Sequence, residues 1–228
     1  MSTAPPTASV ATPASASSGA PQPARLVEET ARGFITDLQR GYLADQASAV
    51  ATLAQLRRGA GKLPSDIPDL WGLTGVDRLF AAEPLNGDER LAARAEAAYF
   101  VAVTLYALHQ QSQSSPMHRR GVDLGSAVRQ LMPDNGIDEP IRRRFVRVGT
   151  ATTTDILAYR LREIISLLRG KGIPLDYGRL ARQLYQAQTP DGLAQARREW
   201  GRGFHTRKAD SDDAALSGSG ASSDKDTE

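Results

Sequence analysis

The fold is decided by residues 141–185, IRRRFVRVGTATTTDILAYRLREIISLLRGKGIPLDYGRLARQLY. Apolar residues recur there at spacings of three and four, which predicts an amphipathic helix over Thr154–Arg169. The apolar stripe consists of Leu157, Leu161, Ile164, Ile165 and Leu168. We expect the Thr154 hydroxyl to cap the start of the helix. Gly170 and Gly172 are expected to end it, and Pro174 to prevent it from resuming.

Similar apolar spacing outside Thr154–Arg169 predicts eight more helices. The first covers 25–42, and the second is expected to be capped by Asp45 and to run to about residue 57. The other six cover 75–82, 88–110, 124–131, 138–148, 175–188 and 191–204. No alternating apolar and polar run is long enough for a sheet. The sequence therefore predicts an all-α fold.

Two polar features suggest how these helices are grouped. The polar segment QQSQSSP, residues 110–116, ends in proline and is the expected linker between two small helical bundles, 25–112 and 117–206. The Ala/Ser/Pro-rich tail 1–24 and the acidic tail 207–228 cannot bury enough apolar area to offset the entropy of ordering. We expect both tails to be disordered.

Charge is distributed unevenly along the chain. Residues 25–208 hold 27 Lys and Arg against 20 Asp and Glu, whereas residues 209–228 hold one Lys against six acids. The basic side chains are 24 arginines and only 4 lysines, and arginine forms bidentate contacts with phosphate. A high-GC genome would also raise the Arg/Lys ratio, but it does not explain clustering. The pattern favours an anionic polymer as partner.

Several protein classes are disfavoured by the sequence. It has no cysteine, no run of about 18 apolar residues and no signal-peptide pattern, so we expect a cytoplasmic protein without disulfides or a membrane span. Its three histidines are scattered, and the glycine patterns of nucleotide-binding loops are missing. We therefore predict no enzymatic activity, no metal, no cofactor and no small-molecule substrate.

The candidate nucleic-acid-binding side chains fall into four clusters. They are Arg57, Arg58 and Lys62; Arg119 and Arg120; Arg142, Arg143, Arg144 and Arg147; and Arg169 and Lys171, followed along the chain by Arg179 and Arg182. The third cluster is the most informative, because three adjacent arginines fan around a helix and cannot all be paired locally, although Asp138 and Glu139 can each pair with one.

Other roles remain open for the remaining clusters. Arg57 and Arg58 would also neutralise the negative end of a helix dipole at its C-terminus. The arginines and lysine of the other clusters would simply be solvated surface charges. Arg160 and Arg162 are expected to form ion pairs on their helix. Trp71 and Leu73 are expected to fasten the loop that precedes them to the core.

Five segments resemble the CasB family, the small subunit of the type I-E CRISPR surveillance complex Cascade. They are LRRGAGKLPSDIPDLWGL (56–73), HRRGVDLGSAVRQL (118–131), IRRRFVRV (141–148), YRLREIISLLRGKGIPLDYGRLARQLYQAQ (159–188) and RREWGRGF (197–204). The first and fourth carry the more specific motifs. YQAQ stands where members often show an aromatic residue near the second glutamine.

The resemblance implies a non-catalytic subunit that self-associates along the complex beside its other subunits. It further implies a basic face that lines the path of crRNA and target DNA, holds the displaced non-target strand and stabilises the R-loop in antiviral defence. Two alternatives remain open. One is a helical protein–protein scaffold. The other is a helix-turn-helix DNA-binding regulator, but this class needs a compact recognition helix, and residues 124–131 are too short and too poor in arginine for that role.

Overall fold

The structure of the protein is a computed structural model that describes residues 23–81, 85, 87–133 and 136–205. The predicted tails, 1–24 and 207–228, lie outside these ranges except for Pro23 and Ala24, which belong to a helix. Within the described ranges the chain is helical, with one isolated bridge between His118 and Leu175 and no strand. The predicted all-α fold is confirmed.

The described ranges contain nine α-helices. They are α1 Pro23–Leu43, α2 Ala47–Leu56, α3 Asp77–Phe80, α4 Glu89–Gln110, α5 Leu124–Gln130, α6 Glu139–Gly149, α7 Thr154–Lys171, α8 Tyr177–Gln186 and α9 Pro190–His205. Three 3-10 turns, Arg57–Gly59, Pro64–Asp66 and Pro68–Leu70, lie between α2 and α3. Aspartates cap four of the helices, where their side chains accept the N–H three residues on: Asp88, Asp123, Asp138 and Asp176.

Two expected caps are wrong. The residue before α2 is Gln46, without a side-chain cap, because Asp45 adopts a left-handed conformation with φ 53°. Thr154 is already inside α7, and Thr153 before it makes no capping bond. Gly170 continues α7, which ends at Gly172, where φ is 62° and glycine is favoured.

One apolar core includes side chains from α1, α2, α4, α5 and α7–α9. The whole predicted stripe of α7, from Leu157 to Leu168, is buried in it. Helix α8 contacts α1, α4 and α9, so segments 25–112 and 117–206 share this core. The division into two bundles stays a prediction.

Helix α4 is buried along most of its second half. It has the length and hydropathy of a membrane-crossing helix, but 61% of that window is buried within the protein. Its neighbours are α1, α7 and α8. Small residues such as Ala95, Ala98 and Ala102 allow these helices to approach closely.

The loop between α2 and α4 departs from the prediction. Leu70 is fully buried and Ile67 nearly so, while Leu73 is partly buried against the core. Trp71 is 67% exposed, so its predicted role in fastening the loop is wrong. The 3-10 turn Pro68–Leu70 directs Leu70 inward, and the next residue then faces solvent.

The crossing of α5 and α9 requires glycine. A Cβ atom at Gly125 would clash with the Trp200 carbonyl and lie 2.6 Å from the Phe204 nitrogen. We expect Gly125→Ala to destabilise the fold by about 1–3 kcal/mol in urea denaturation, because backbone atoms cannot move aside. Gly201→Ala on α9 meets no atom within 4 Å and is expected to stabilise by up to about 1 kcal/mol. Equal effects of the two changes would contradict this packing.

Candidate nucleic-acid interface

Helix α6 directs its arginines outward because its opposite side is packed. Val148 is buried, and the Phe145 ring stacks on Phe204 with 5.4 Å between ring centroids. The predicted third cluster lies on the solvent side, and all four of its side chains are exposed: Arg142, Arg143, Arg144 and Arg147. The amphipathic pattern of α6 therefore fixes where its cations point.

Among the described residues, acidic side chains pair with only two of these four arginines. Glu139 accepts Arg142 Nε at 2.7 Å and Arg143 Nε at 3.1 Å, and these hydrogen bonds lower the pKa of its carboxyl to about 2. Asp138 pairs with neither arginine, contrary to our expectation, because its side chain caps α6. Within the described residues, the guanidinium groups of Arg144 and Arg147 have no hydrogen-bond or ionic partner.

The end of α6 is fastened to the first half of α7. Arg160 donates to the Arg147 carbonyl and, at 3.4 Å, to the Thr150 hydroxyl. The expectation that Arg160 and Arg162 form ion pairs is wrong for the part of the chain that the structure describes. The hydrogen bonds of the Arg160 side chain join α7 to the end of α6, and the Arg162 side chain is exposed.

The first predicted cluster approaches the same part of α7. Gly59 lies against Phe100 and Thr104, so the loop is fixed on α4. Two residues later, an added Cβ at Gly61 would lie 3.0 Å from Arg162 Cδ and 3.5 Å from Tyr159 Cα. The loop that holds Arg57, Arg58 and Lys62 and the end of α6 therefore both contact residues 159–162.

Tyr159 stands between these two contacts. Successive residues of an α-helix are about 100° apart, so its side chain projects between those of Arg160 and Arg162. It is 55% exposed. Sequence analysis did not single out Tyr159, although its position outside the apolar stripe of α7 is a signal that it faces solvent.

The cations of the loop differ in their partners. Arg58 contacts Asp69 at 3.2 Å, and both side chains are exposed. Arg57 and Lys62 have no partner among the described residues. Five exposed cations therefore surround the first half of α7: Arg57, Lys62, Arg144, Arg147 and Arg162. We call this surface the α6–α7 basic face.

Arg119 and Arg120 lie elsewhere. Their segment is held by α1 and by the start of α8, because the His118 N–H donates to Gln39 at 2.8 Å and the Arg119 N–H donates to the Leu175 carbonyl at 3.1 Å. Both arginine side chains are exposed, whereas His118 is buried. Burial lowers the pKa of His118, against the opposing effect of Asp176.

Arg169 and Lys171 mark the far end of α7, roughly 13 Å along the axis from Arg160. Arg169 is half-buried and donates to the Gln111 carbonyl at 3.1 Å, so it joins α7 to the end of α4. Lys171 is exposed. The structure thus brings the first and third predicted clusters to one region and leaves the second and fourth apart from it.

The two arginines that extend the fourth predicted cluster are not free surface cations, because both pair with acidic side chains of other helices. Arg179 and Arg182 each approach Glu199 at 3.3 Å, and Arg182 also contacts Glu28 at 3.1 Å. The Glu199 carboxylate is nearly buried and accepts Gln183 Nε2 at 2.8 Å. These ion pairs join α8 to α1 and α9, and they do not contribute to the exposed basic face.

The fold and the exposed cations define an all-helical protein with a basic face. Residues 52–205 match the model of the CRISPR-associated protein Cse2 family. The chain is 51% identical to CasB from Thermobifida fusca, whose crystal structure it matches with a TM-score of 0.72 over 79% of this chain and 98% of that one. The chain therefore belongs to the Cse2 family, and the resemblance to CasB is confirmed.

Two more distant structures share the fold. M. ruber CasB is 21% identical, with a TM-score of 0.58 over 78% of this chain and 92% of that one. A chain of a CRISPR RNA-guided surveillance complex is 20% identical, with a TM-score of 0.57 over 78% of this chain and 95% of that one. A comparison with curated proteins found no match.

Glu199→Gln tests the internal ion pairs. Burial raises the pKa of Glu199, but the hydrogen bond from Gln183 and the charges of Arg182 and Arg179 outweigh burial and lower it overall. A depressed folded-state pKa adds stability at neutral pH that is lost as the pH falls through that pKa. We expect the variant to lose about 1.5–3 kcal/mol at neutral pH in urea denaturation.

The difference between wild type and Glu199→Gln is expected to narrow below about pH 4, near the ordinary pKa of glutamate. Glu29→Gln is the control, because its pair with Arg25 is exposed and contributes little. A difference that stayed constant with pH would show that Glu199 stabilises the fold by packing and not by its charge.

Proposed function

We propose that this chain is the non-catalytic small subunit of a type I-E Cascade complex and that it holds nucleic-acid backbone through the α6–α7 basic face. Membership of the Cse2 family and 51% identity to T. fusca CasB support the assignment to this kind of complex. The solved surveillance-complex chain of the same fold also supports it. In antiviral defence the subunit lies along crRNA and target DNA and stabilises the R-loop, in the cytoplasm, beside other subunits and a second copy of itself.

The observation that carries the proposal is the contrast between two sets of arginines. Arg179 and Arg182 share the nearly buried Glu199, whereas Arg144 and Arg147 are exposed without an acidic partner among the described residues. Unpaired exposed cations in one region repel one another, and a polyanion relieves that repulsion. Arg57, Lys62 and Arg162 extend the same region across α7.

Backbone contacts suit this role because sequence choice is made elsewhere. In RNA-guided recognition, base pairing with the guide selects the target, and the protein needs to hold only the sugar-phosphate backbone. Guanidinium groups contact phosphate oxygens in bidentate fashion without reading bases. Proteins that hold a displaced single strand likewise follow its backbone with positively charged side chains.

The positions of the histidines support the non-catalytic part of the proposal. His109 is buried with its Nδ1 2.8 Å from the Tyr177 hydroxyl, and His118 is buried beside the same tyrosine. His205 lies against Phe204 at the end of α9, with 5.5 Å between ring centroids. None of the three lies next to another acid–base group in an open cleft, which general acid–base catalysis requires.

The first test changes Arg142, Arg143, Arg144 and Arg147 to alanine together. Alanine preserves helix α6, so the change removes charge without unfolding it. We expect weaker binding of a labelled single-stranded DNA in fluorescence anisotropy. The plot of log K against log salt should be shallower by roughly 1.4, at about 0.7 for each of the two phosphates that the unpaired Arg144 and Arg147 no longer neutralise.

A charge-matched control changes Arg25, Arg40, Arg78 and Arg90 to alanine. These exposed side chains lie on α1, α3 and the first turn of α4, and the control lowers net charge equally. We expect it to keep the wild-type salt dependence. If both quadruple variants and the wild type bind alike, the proposal is wrong and the α6–α7 basic face is a subunit contact or a solvated surface.

A second test removes the acid that holds two of the arginines. Glu139→Gln is expected to raise affinity for the same DNA a few-fold, because the carboxylate is ionised at assay pH and occupies Arg142 and Arg143. Asp37→Asn is the matched control, since Asp37 likewise contacts two exposed arginines, Arg40 and Arg78. An equal gain from both variants would indicate an effect of net charge alone.

A further inference from the structure

A small cavity lies where the loop between α2 and α3 meets α4. Its volume is about 170 Å³. The lining residues on the loop are Pro64, Leu70, Trp71, Gly72, Thr74 and Val76, and those on α4 are Glu96 and Phe100. Pockets that bind whole small molecules usually measure roughly 300–1,000 Å³, so this cavity suits a single side chain.

Hydrogen bonds hold the walls of this cavity in place. The buried Tyr99 hydroxyl donates to the Thr74 carbonyl at 2.8 Å. The Trp71 indole N–H donates to the Pro64 carbonyl at 3.4 Å, and the Trp71 backbone N–H donates to the Pro68 carbonyl at 2.9 Å. Gly75, at φ 69°, lets the chain pass close to Phe34. The cavity is therefore formed before any ligand arrives.

Glu96 gives the cavity a carboxylate without a partner. It is half-buried, and within the described ranges it accepts no hydrogen bond and forms no ion pair. Burial raises the pKa of its carboxyl. The arginines on either side of the cavity-forming loop are engaged elsewhere, Arg58 with Asp69 and Arg78 with Asp37. A cation from outside the chain would relieve the poor solvation of the Glu96 charge.

Trp71 supplies a second contact for a cation. Its side chain is 67% exposed and lies at the rim of the cavity. An indole face attracts ammonium and guanidinium groups, and exposed tryptophans are enriched where protein interfaces concentrate their binding energy. Leu70 and Phe100 offer apolar surface to the aliphatic stem of the same side chain.

We propose that this cavity is a docking site for one arginine or lysine side chain of a partner protein. The carboxylate of Glu96 contacts the cationic head, and the Trp71 ring covers it. Nucleic acid is a poor occupant, because its phosphates are repelled by Glu96. The site is distinct from the α6–α7 basic face, since its ligand has the opposite charge.

The test uses the two tryptophans as probe and control. In a ¹⁵N-labelled full-length chain, each indole N–H gives its own NMR signal, and Trp200 is buried with its N–H bonded to Gln183 at 2.8 Å. N-acetyl-arginine methylamide is the probe, and its neutral glutamine analogue is the control. We expect a saturable shift of the Trp71 signal with the arginine probe alone and no shift of Trp200.

Glu96→Gln is expected to weaken binding of the arginine probe about tenfold, since one charge-assisted hydrogen bond is removed. Isothermal titration calorimetry, which does not depend on the Trp71 signal, measures the variants of that residue. Trp71→Phe should retain part of the affinity, and Trp71→Ala should abolish it, while both keep the wild-type circular dichroism because residue 71 faces solvent. Equal binding of the glutamine analogue, or an unchanged affinity of Glu96→Gln, would overturn the proposal.

The identity of the partner is tested by photo-crosslinking. A photoreactive amino acid replaces the exposed Ser65, next to Pro64, in the chain assembled with the other subunits of its surveillance complex. We expect cross-links to a protein segment within a few residues of an arginine or lysine, and Glu96→Gln should reduce them. Cross-links to nucleic acid, or none in an assembled complex, would contradict a protein partner. If the wild-type chain does not assemble, the proposed function fails, while the NMR titration still decides the cavity.

Discussion

The fold depends on the burial of Tyr177 at the start of α8. Its hydroxyl lies 2.8 Å from His109 Nδ1 on α4, and its ring meets those of Tyr106 and His118. A buried hydroxyl needs a polar partner, so this bond fixes α8 against α4 across 68 residues of sequence. Burial lowers the pKa of His109 to about 4, so its imidazole is neutral at physiological pH and places no unpaired charge in the core.

The packing of the helices places the arginines in two groups, those paired with acids and those exposed to solvent. Those on the inner sides of α1 and α8 meet carboxylates, as Arg32 meets Glu28 and Arg182 meets both Glu28 and Glu199. Those on α6 face solvent because Phe145 and Val148 occupy its inner side. The packing thus uses some cations to join helices and leaves others exposed to solvent.

The chain between α2 and α4 contributes to two surfaces of opposite charge. Its first part carries Arg57 and Lys62 toward α7, and its later part forms the cavity that Glu96 lines. Gly59 and Leu70 fasten this chain to α4 between the two surfaces. A subunit that contacts nucleic acid with one surface and a basic protein segment with the other would link the two components of a ribonucleoprotein.

The sequence by itself determined the helices, the buried stripe of α7 and the outward arginines of α6, because periodicity is a local property. The CasB resemblance came from motifs of the same local kind. Only the tertiary structure decided that Arg160 ties two helices, that Trp71 faces solvent, that Glu96 has no partner among the described residues, and that the loop at Gly61 reaches Tyr159. These features depend on contacts between residues far apart in the chain, and spacing along the sequence does not encode which distant surfaces meet.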